Sequence, residues 1–322
     1  MMRHIPLWAA LLPLLLGVLV WALLWRGYAA DLRAELAAVL PAGAIVETGG
    51  FPYRLEARVS GLSLRHDGAD LRAGLRTSEL VLNRVPWQRD RQVLVAFDPE
   101  MRLAVPGLAG VDFAAEAPAA QASLHLDGDR IARLSIVWPS GVDLQSGLLP
   151  VVVRADHFEA HLRETAPWEA PPEAGVPPLQ AQIVLDGRMV RFGDGAPLQL
   201  TLTADLLAPA PLRSLAAWAE GGLLSVAEAH LADDGGEVAR FRGRIRADGG
   251  GLLLDGAIDT FCPATVRAAI AGVRAAPEKR ARQLQTLAIS GRFPGGLAIP
   301  PRDESKPLPP VRGQEADCPL LR

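Results

Sequence analysis

Beyond residue 50 the chain alternates apolar and polar side chains with a period of two. Tyr53, Leu55, Ala57 and Val59 stand against Arg54, Glu56, Arg58 and Ser60, the pattern of a strand with one face turned to a core. At Gly61 the phase slips, and Leu62 and Leu64 take the opposite parity. This predicts a β-bulge, where the missing Cβ lets the strand bend. The alternation returns at Leu71, Ala73 and Leu75, at Val93, Val95 and Phe97, at Met101, Leu103 and Val105, and at Leu198, Leu200, Leu202 and Ala204. Asp-Gly dipeptides punctuate the runs at 67–68, 127–128, 186–187, 194–195, 234–235, 248–249 and 255–256. Asp-Gly supplies the positive φ angles that a two-residue hairpin turn needs. The predicted body is therefore mainly β, an antiparallel meander of curved sheets with one apolar face and a few covering helices.

Two other periods interrupt the pattern. Ile5 to Trp25 carries no charge, and at 1.5 Å per residue it spans ~30 Å, one hydrocarbon thickness. Trp8 lies near one end of this run, with Trp21, Trp25 and Tyr28 near the other, where interfacial aromatic residues collect. A cleaved signal peptide competes with a retained anchor, but Tyr28 occupies the −3 position for cleavage after Ala30. The anchor is the expectation. Residues 29–40 read as a short helix leaving the membrane and stopped by Pro41. Later helical patches begin at Pro211 and at Pro263; the second puts Val266, Ile270 and Val273 on one face, with a break at Pro277.

These features divide the chain into an anchor (1–28), a first β-rich half (29–163), a Pro- and Glu-rich seam (164–180), a second β-rich half with helices (181–300) and a Pro-rich tail (301–322). Charge adds little. The formal net charge is −3, with 33 Lys+Arg against 36 Asp+Glu, so the basic surface that nucleic acid requires is missing. Aromatic residues are too few, at 5%, for a site built on stacking.

Candidate chemistry is sparse. His157 and His161 have the i, i+4 spacing of a helical metal pair, but Phe158 stands where H-E-x-x-H has its Glu. On a strand they share a solvated face with Glu159. Arg240, Arg242, Arg244 and Arg246 form a guanidinium ladder on one strand face, a candidate for phosphate or anionic lipid headgroups. The competing reading is a charged outer face that resists edge pairing. Cys262 and Cys318 are the two cysteines, a candidate disulfide. No G-x-S-x-G, Walker A loop or Cys-x-x-Cys occurs. The expectation is a protein that is not an enzyme and uses no cofactor or metal.

The stretch Gly50-Phe51-Pro52-Tyr53-Arg54, soon after one N-terminal anchor and before a long Asp-Gly-punctuated β body, resembles the bacterial family catalogued as domain of unknown function 2125. "NRVPWQRDRQVLVAF" and "IVWPSGVDL" are similar to later segments of that family. The resemblance implies a Gram-negative inner-membrane protein, single-pass, with its bulk in the periplasm, an orientation that the flanking charges alone leave open. It supplies no activity. A more distant architectural likeness is to AsmA-type envelope proteins, which pair an anchor with repetitive β structure forming an apolar groove for lipids. The expected role is envelope maintenance, with lipid bound in an apolar groove; the alternative is a non-enzymatic scaffold for an envelope protein partner.

Overall fold

The structure is a computed structural model and describes residues 7–108, 110–128, 130–165, 175–209, 218–293, 296–299 and 316–322. It is mostly β, with one antiparallel sheet of eighteen strands and an apolar N-terminal helix. That helix, α1 (Leu7–Val39), is unbroken. The expected anchor and the expected short helix behind it are one element, and Pro13 sits inside it.

After α1 the chain meanders. β1 (Val46–Gly49), β2 (Leu55–Asp67) and β3 (Arg72–Arg84) pair in order. Next come β4 (Arg91–Phe97), β5 (Glu100–Ala104), β6 (Asp112–Glu116) and β7 (Ala119–Asp127). They are followed by β8 (Arg130–Trp138), β9 (Val142–Ser146), β10 (Leu149–Ala155) and β11 (His157–Glu164). These eight are four long strands, each kinked once. Only Asp98-Pro99 separates β4 from β5, Ala117-Pro118 separates β6 from β7, Pro139 to Gly141 separates β8 from β9, and Asp156 separates β10 from β11. One row, β4, β7, β8 and β11, lies on one side of the kinks; the other row, β5, β6, β9 and β10, lies on the far side.

The kinks line up as a crease. Strand β3 pairs with β4 through Glu79 to Asn83 and with β5 through Arg72 to Arg76, so the crease crosses it at Thr77 and Ser78. Positive φ values mark it at Gly61 (60°), Asp98 (48°), Gly141 (97°) and Met189 (55°). Pairing continues across it, because Asp98 N–H donates to Pro118 O (2.9 Å) and Asp156 N–H to Arg188 O (3.2 Å). The phase slip at Gly61 is the first point of this crease. No residue is inserted there: Ser60 faces Glu79 and Leu62 faces Thr77, an unchanged register. The expected bulge is therefore a bend made by one left-handed glycine.

From β12 (Leu179–Phe192) the strands run long: β13 (Leu198–Leu207), β14 (Leu223–Asp233), β15 (Gly236–Asp248), β16 (Gly251–Thr260), β17 (Gln285–Phe293) and the three-residue β18 (Gly296–Ala298). β12 pairs with both β11 and β10, so the expected seam lies within one sheet and the two halves share it. Residues 166–174 of the seam lie outside the described residues, as do most of the helical patch at Pro211 and residues 301–315 of the tail. The short strands β1 and β18 cover part of each edge, pairing with Glu56 to Val59 of β2 and with Ser290 to Arg292 of β17.

Five of the seven Asp-Gly pairs sit in turns between strands; Asp186-Gly187 and Asp255-Gly256 lie inside β12 and β16. Their glycines make room for rings. A Cβ on Gly187 would stand 2.9 Å from the Phe158 ring, and one on Gly256 would stand 2.7 Å from the Phe241 ring. Alternation also misleads at β4, where every residue from Val93 to Phe97 is apolar. Leu94 pairs with buried Leu82 and packs in the core, while Val93 and Phe97 are exposed on the outer face.

α2 (Pro263–Ile270) caps the far end of the sheet, its first turn held by the Glu278 carboxylate, which accepts from Ala264 N–H (3.1 Å) and Thr265 N–H (2.9 Å). An acidic group at this end complements the helix dipole. Val266 is buried and Ile270 packs beside it, but the helix ends before Val273, which is exposed. The last seven residues are not loose. Cys318 is bonded to Cys262, Leu321 is buried, and Ala196 N–H donates to Leu320 O at 2.6 Å.

The disulfide closes a separation of 56 residues, worth at most ~4 kcal/mol in the chain-entropy model. The double variant Cys262→Ser, Cys318→Ser is expected to lose about 2–4 kcal/mol of stability, read as a lower urea midpoint; an unchanged midpoint would mean that the tail docks without it.

Candidate functional site

One face of the sheet is apolar from edge to edge. A single rung of cross-strand neighbours runs Ala57, Leu82, Leu94, Ala122, Ile136 and Ala160 through the first half. It continues as Leu185, Leu202, Ala229, Phe241, Ile258 and Leu287. The adjacent rung carries Leu124, Leu134, Leu162, Ile183, Ala204 and Val226. Past the crease the parity changes on the strands from β2 to β7, while the three residues between β8 and β9 keep it, and Leu75, Met101, Ala115 and Leu144 continue the same face.

The cover on this face is uneven. At one end α1 lies on it: Ala29 and Leu32 are buried against Leu55, Ala57 and Leu82. At the other, α2 and the tail bury Ile258, Leu287 and Ile289. The short row beyond the crease turns back over it, so that Val105 and Leu108 of the β5–β6 turn and Leu148 of the β9–β10 turn pack with Leu206, Leu224, Leu252 and Trp218. Between these covers the rung from Leu94 to Phe241 is only half-buried. Leu103, Phe113 and Leu149, on the same face of the turned-back row, are exposed. The result is an apolar strip that the described residues cover incompletely.

The opposite face is mostly polar from β11 to β16, and there the histidine pair and the arginine ladder lie. Arg240, Arg242, Arg244 and Arg246 alternate with Phe241 and Ile245, which pack inward. The ladder is therefore on the outer face, away from the apolar strip. Arg240 is paired with Glu237 (2.7 Å) and Glu228 (3.1 Å), and Arg242 with Asp259 (2.7 Å). Two of its four charges are thus neutralised locally, and the ladder does not stand at a groove mouth. Asp259 also accepts from Thr286 Oγ1 at 2.6 Å. That bond, then the one from Arg242, holds its carboxyl below the usual aspartate range against the opposing effect of burial.

His157 and His161 share the outer face with Glu159 as expected, and both Nε2 atoms contact its carboxylate, at 2.8 and 3.1 Å. The His157 contact foremost lowers the Glu159 pKa. Among the described residues no group of three or more His, Cys, Asp or Glu is arranged to hold a metal. Two depressions lie among the described residues. One, of about 610 Å³, follows the crease between Glu100, Glu116, Asp143 and Arg154; a wider one, of about 1100 Å³, has Arg65, Arg72, Arg76 and Arg102 on its walls. Both are polar.

The contacts that sequence reasoning missed are at the base of α1. Trp21 Nε1 donates to Pro52 O (3.0 Å) and Trp25 Nε1 to Arg54 O (3.2 Å). Arg84, with a buried side chain, reaches Glu35 of α1 at 2.6 Å, and Arg89 reaches Asp31 at 3.0 Å. The signal was the Gly-Phe-Pro-Tyr-Arg stretch, whose backbone carbonyls are the acceptors. No family model, no curated protein and no solved structure matches the chain.

Removing Asp259 leaves Arg242 and Thr286 without their acceptor, so Asp259→Ala is expected to cost about 1–3 kcal/mol at neutral pH. Because the folded-state pKa is depressed, the stabilisation is complete above the ordinary aspartate range and is lost as pH falls through the depressed value. Urea titrations should show the gap between wild type and variant closing as pH falls below the ordinary aspartate range; a gap that does not change with pH would rule out the ionised carboxylate as its source.

Proposed function

We propose that this protein is held by α1 in a bacterial inner membrane, single-pass, with its β body in the periplasm, and that the apolar strip takes up lipid acyl chains in the service of envelope maintenance. The observation that carries this reading is the half-buried stretch of the apolar rung, Leu94 to Phe241, beginning where α1 packs and ending where α2 packs. Leucine and isoleucine left in this state in the middle of a wide sheet are an incomplete core, and each methylene that a ligand covers contributes ~0.8 kcal/mol. An acyl chain has the length and the uniform apolarity to lie across successive strands.

Three further features support the setting. α1 is long and apolar enough to cross a membrane, and every side chain from Leu11 to Val20 is exposed. The Cys262–Cys318 bond suits an oxidising compartment. The Gly50 to Arg54 stretch carries the resemblance to the membrane-anchored family and is the segment that receives α1. The action proposed is contact and transfer of lipid, without covalent chemistry. The Arg ladder has no part in it, since it stands on the opposite face.

A scaffold role is the second reading, favoured by the wide depression, where Arg65, Arg72, Arg76 and Arg102 surround Gly74 on neighbouring strands.

The full chain, extracted gently from a Gram-negative host, should carry bound phospholipid in native mass spectrometry. Leu103→Asp with Phe113→Asp, both at exposed positions on the apolar face, should abolish that lipid while the circular dichroism and urea midpoint stay unchanged. Lipid-free wild-type protein would overturn the lipid reading and leave the scaffold.

A further inference from the structure

The loops beside α1 place aromatic side chains at a level the helix itself defines. If Ile5 to Trp25 fills the hydrocarbon layer, Trp21 lies four residues inside its end, ~6 Å by helix rise. Trp21 is not free of the body there. Its indole is bonded to Pro52 O, and its ring meets Trp87 edge-on with centroids 6.0 Å apart. One turn later Trp25 meets Phe51 in the same way, at 5.5 Å. The β1–β2 loop, with Phe51 and Tyr53, and the β3–β4 loop, with Trp87, are therefore fixed beside the last turns of the apolar run. Their outward surfaces remain bare: Phe51 is 49% exposed, Trp87 63% and Tyr53 83%.

We propose that these two loops are a second membrane contact, with Phe51, Tyr53 and Trp87 seated in the interfacial layer of the bilayer beside α1. The occupant is lipid and not a protein partner because the patch is continuous with the lipid-facing surface of α1, and because an amphipathic ring with a wet edge is the group that interface favours. Arg26 and Arg54, both exposed at this level, suit the phosphate layer just above. The contact rests on the reading of α1 as an anchor and adds to it a fixed posture. The body does not hang from a flexible stalk; it sits on the bilayer in one orientation, with the α1 end of the apolar strip against the membrane surface.

The test uses the full chain in vesicles of phosphatidylethanolamine and phosphatidylglycerol that carry acyl chains brominated either near the headgroup or near the bilayer centre. The emission of Trp87 is the difference between wild type and Trp87→Phe, a substitution that keeps the ring contact with Trp21. The added emission of Leu15→Trp, on the exposed middle of α1, reports the anchor. The expected result is that deep bromines quench the Leu15→Trp signal and shallow bromines quench Trp87. Quenching of the Leu15→Trp signal with Trp87 emission untouched by either lipid would overturn the second contact while leaving the anchor in place. Absence of quenching at both positions would overturn the anchor reading and the contact with it.

Discussion

A wide sheet with one apolar face must hide that face, and nearly every departure from a plain meander in this protein serves the purpose. A sheet of eighteen strands presents far more apolar area than α1 and α2 can cover. Part of the solution is to fold the sheet on itself. At the crease four strands kink together, and the turned-back row brings Val105, Leu108 and Leu148 onto β13 to β16. The helices are spent on the two ends, α1 against β2 and β3 and α2 with the tail against β15 to β17. Each leucine fully buried in this way, Leu32, Leu55 and Leu198 among them, contributes ~1.5–3 kcal/mol. Around the crease Trp138, Phe158 and Val190 are buried as well; beside them the rung from Leu94 to Phe241 stays half-buried, and there the fold's own demand and the proposed lipid contact become the same question.

The crease shows how one physical requirement is written in several residue types. Bending neighbouring strands at one rank, with the register unchanged from β2 to β7 and shifted by one residue at Pro139 to Gly141 and beside Met189, requires backbone geometry that β structure normally avoids. The chain uses a left-handed glycine at Gly61 and Gly141, prolines that give up a ladder N–H at Pro99, Pro118 and Pro139, and left-handed Asp98 and Met189. Proline belongs at such breaks because it has no N–H to donate to a ladder. The side-chain parity changes at the same place on neighbouring strands, so the apolar face continues through the bend.

Much of this was legible in the sequence, and the failures have causes. Period-two alternation located most strands, and the slip at Gly61 marked the bend. One strand read alone cannot separate a bulge from a crease; the pairing with Thr77 and Glu79 decides it. Five Asp-Gly pairs are turns as expected, but those at 187 and 256 answer to neighbouring rings, a tertiary demand that leaves no local trace. In β4 the outward Val93 and Phe97 are as apolar as inward Leu94, so periodicity has no contrast to read. The Cys262–Cys318 pair was a count of two and is a bond. The Arg ladder was legible as a stripe; its distance from the apolar strip depends on which side of β15 faces inward, and Phe241 and Ile245 settle that. The halves proved to be one sheet because a Pro-rich seam interrupts the sequence without interrupting the pairing of β11 with β12.

The junction of α1 with the sheet couples the two parts of the molecule in a way that length and hydropathy cannot anticipate. An anchor followed by a flexible linker would leave the body free to turn. Here the helix is continuous from Leu7 to Val39, and its last turns form part of the core. Arg84 reinforces the joint. Its guanidinium is buried, and a buried cation without a partner costs several kcal/mol, so the Glu35 carboxylate on α1 is held to it at 2.6 Å. The Arg89 pairs with Asp31 and Glu35 lie at the exposed rim and add little by themselves, but they close the same joint from the solvent side. Pulling α1 away would uncover Leu32, Leu55 and Ala57 and strand a buried charge together. The direction of α1 and the direction of the sheet's apolar face are consequently one degree of freedom, set where Trp21 and Trp25 meet the Pro52 and Arg54 carbonyls.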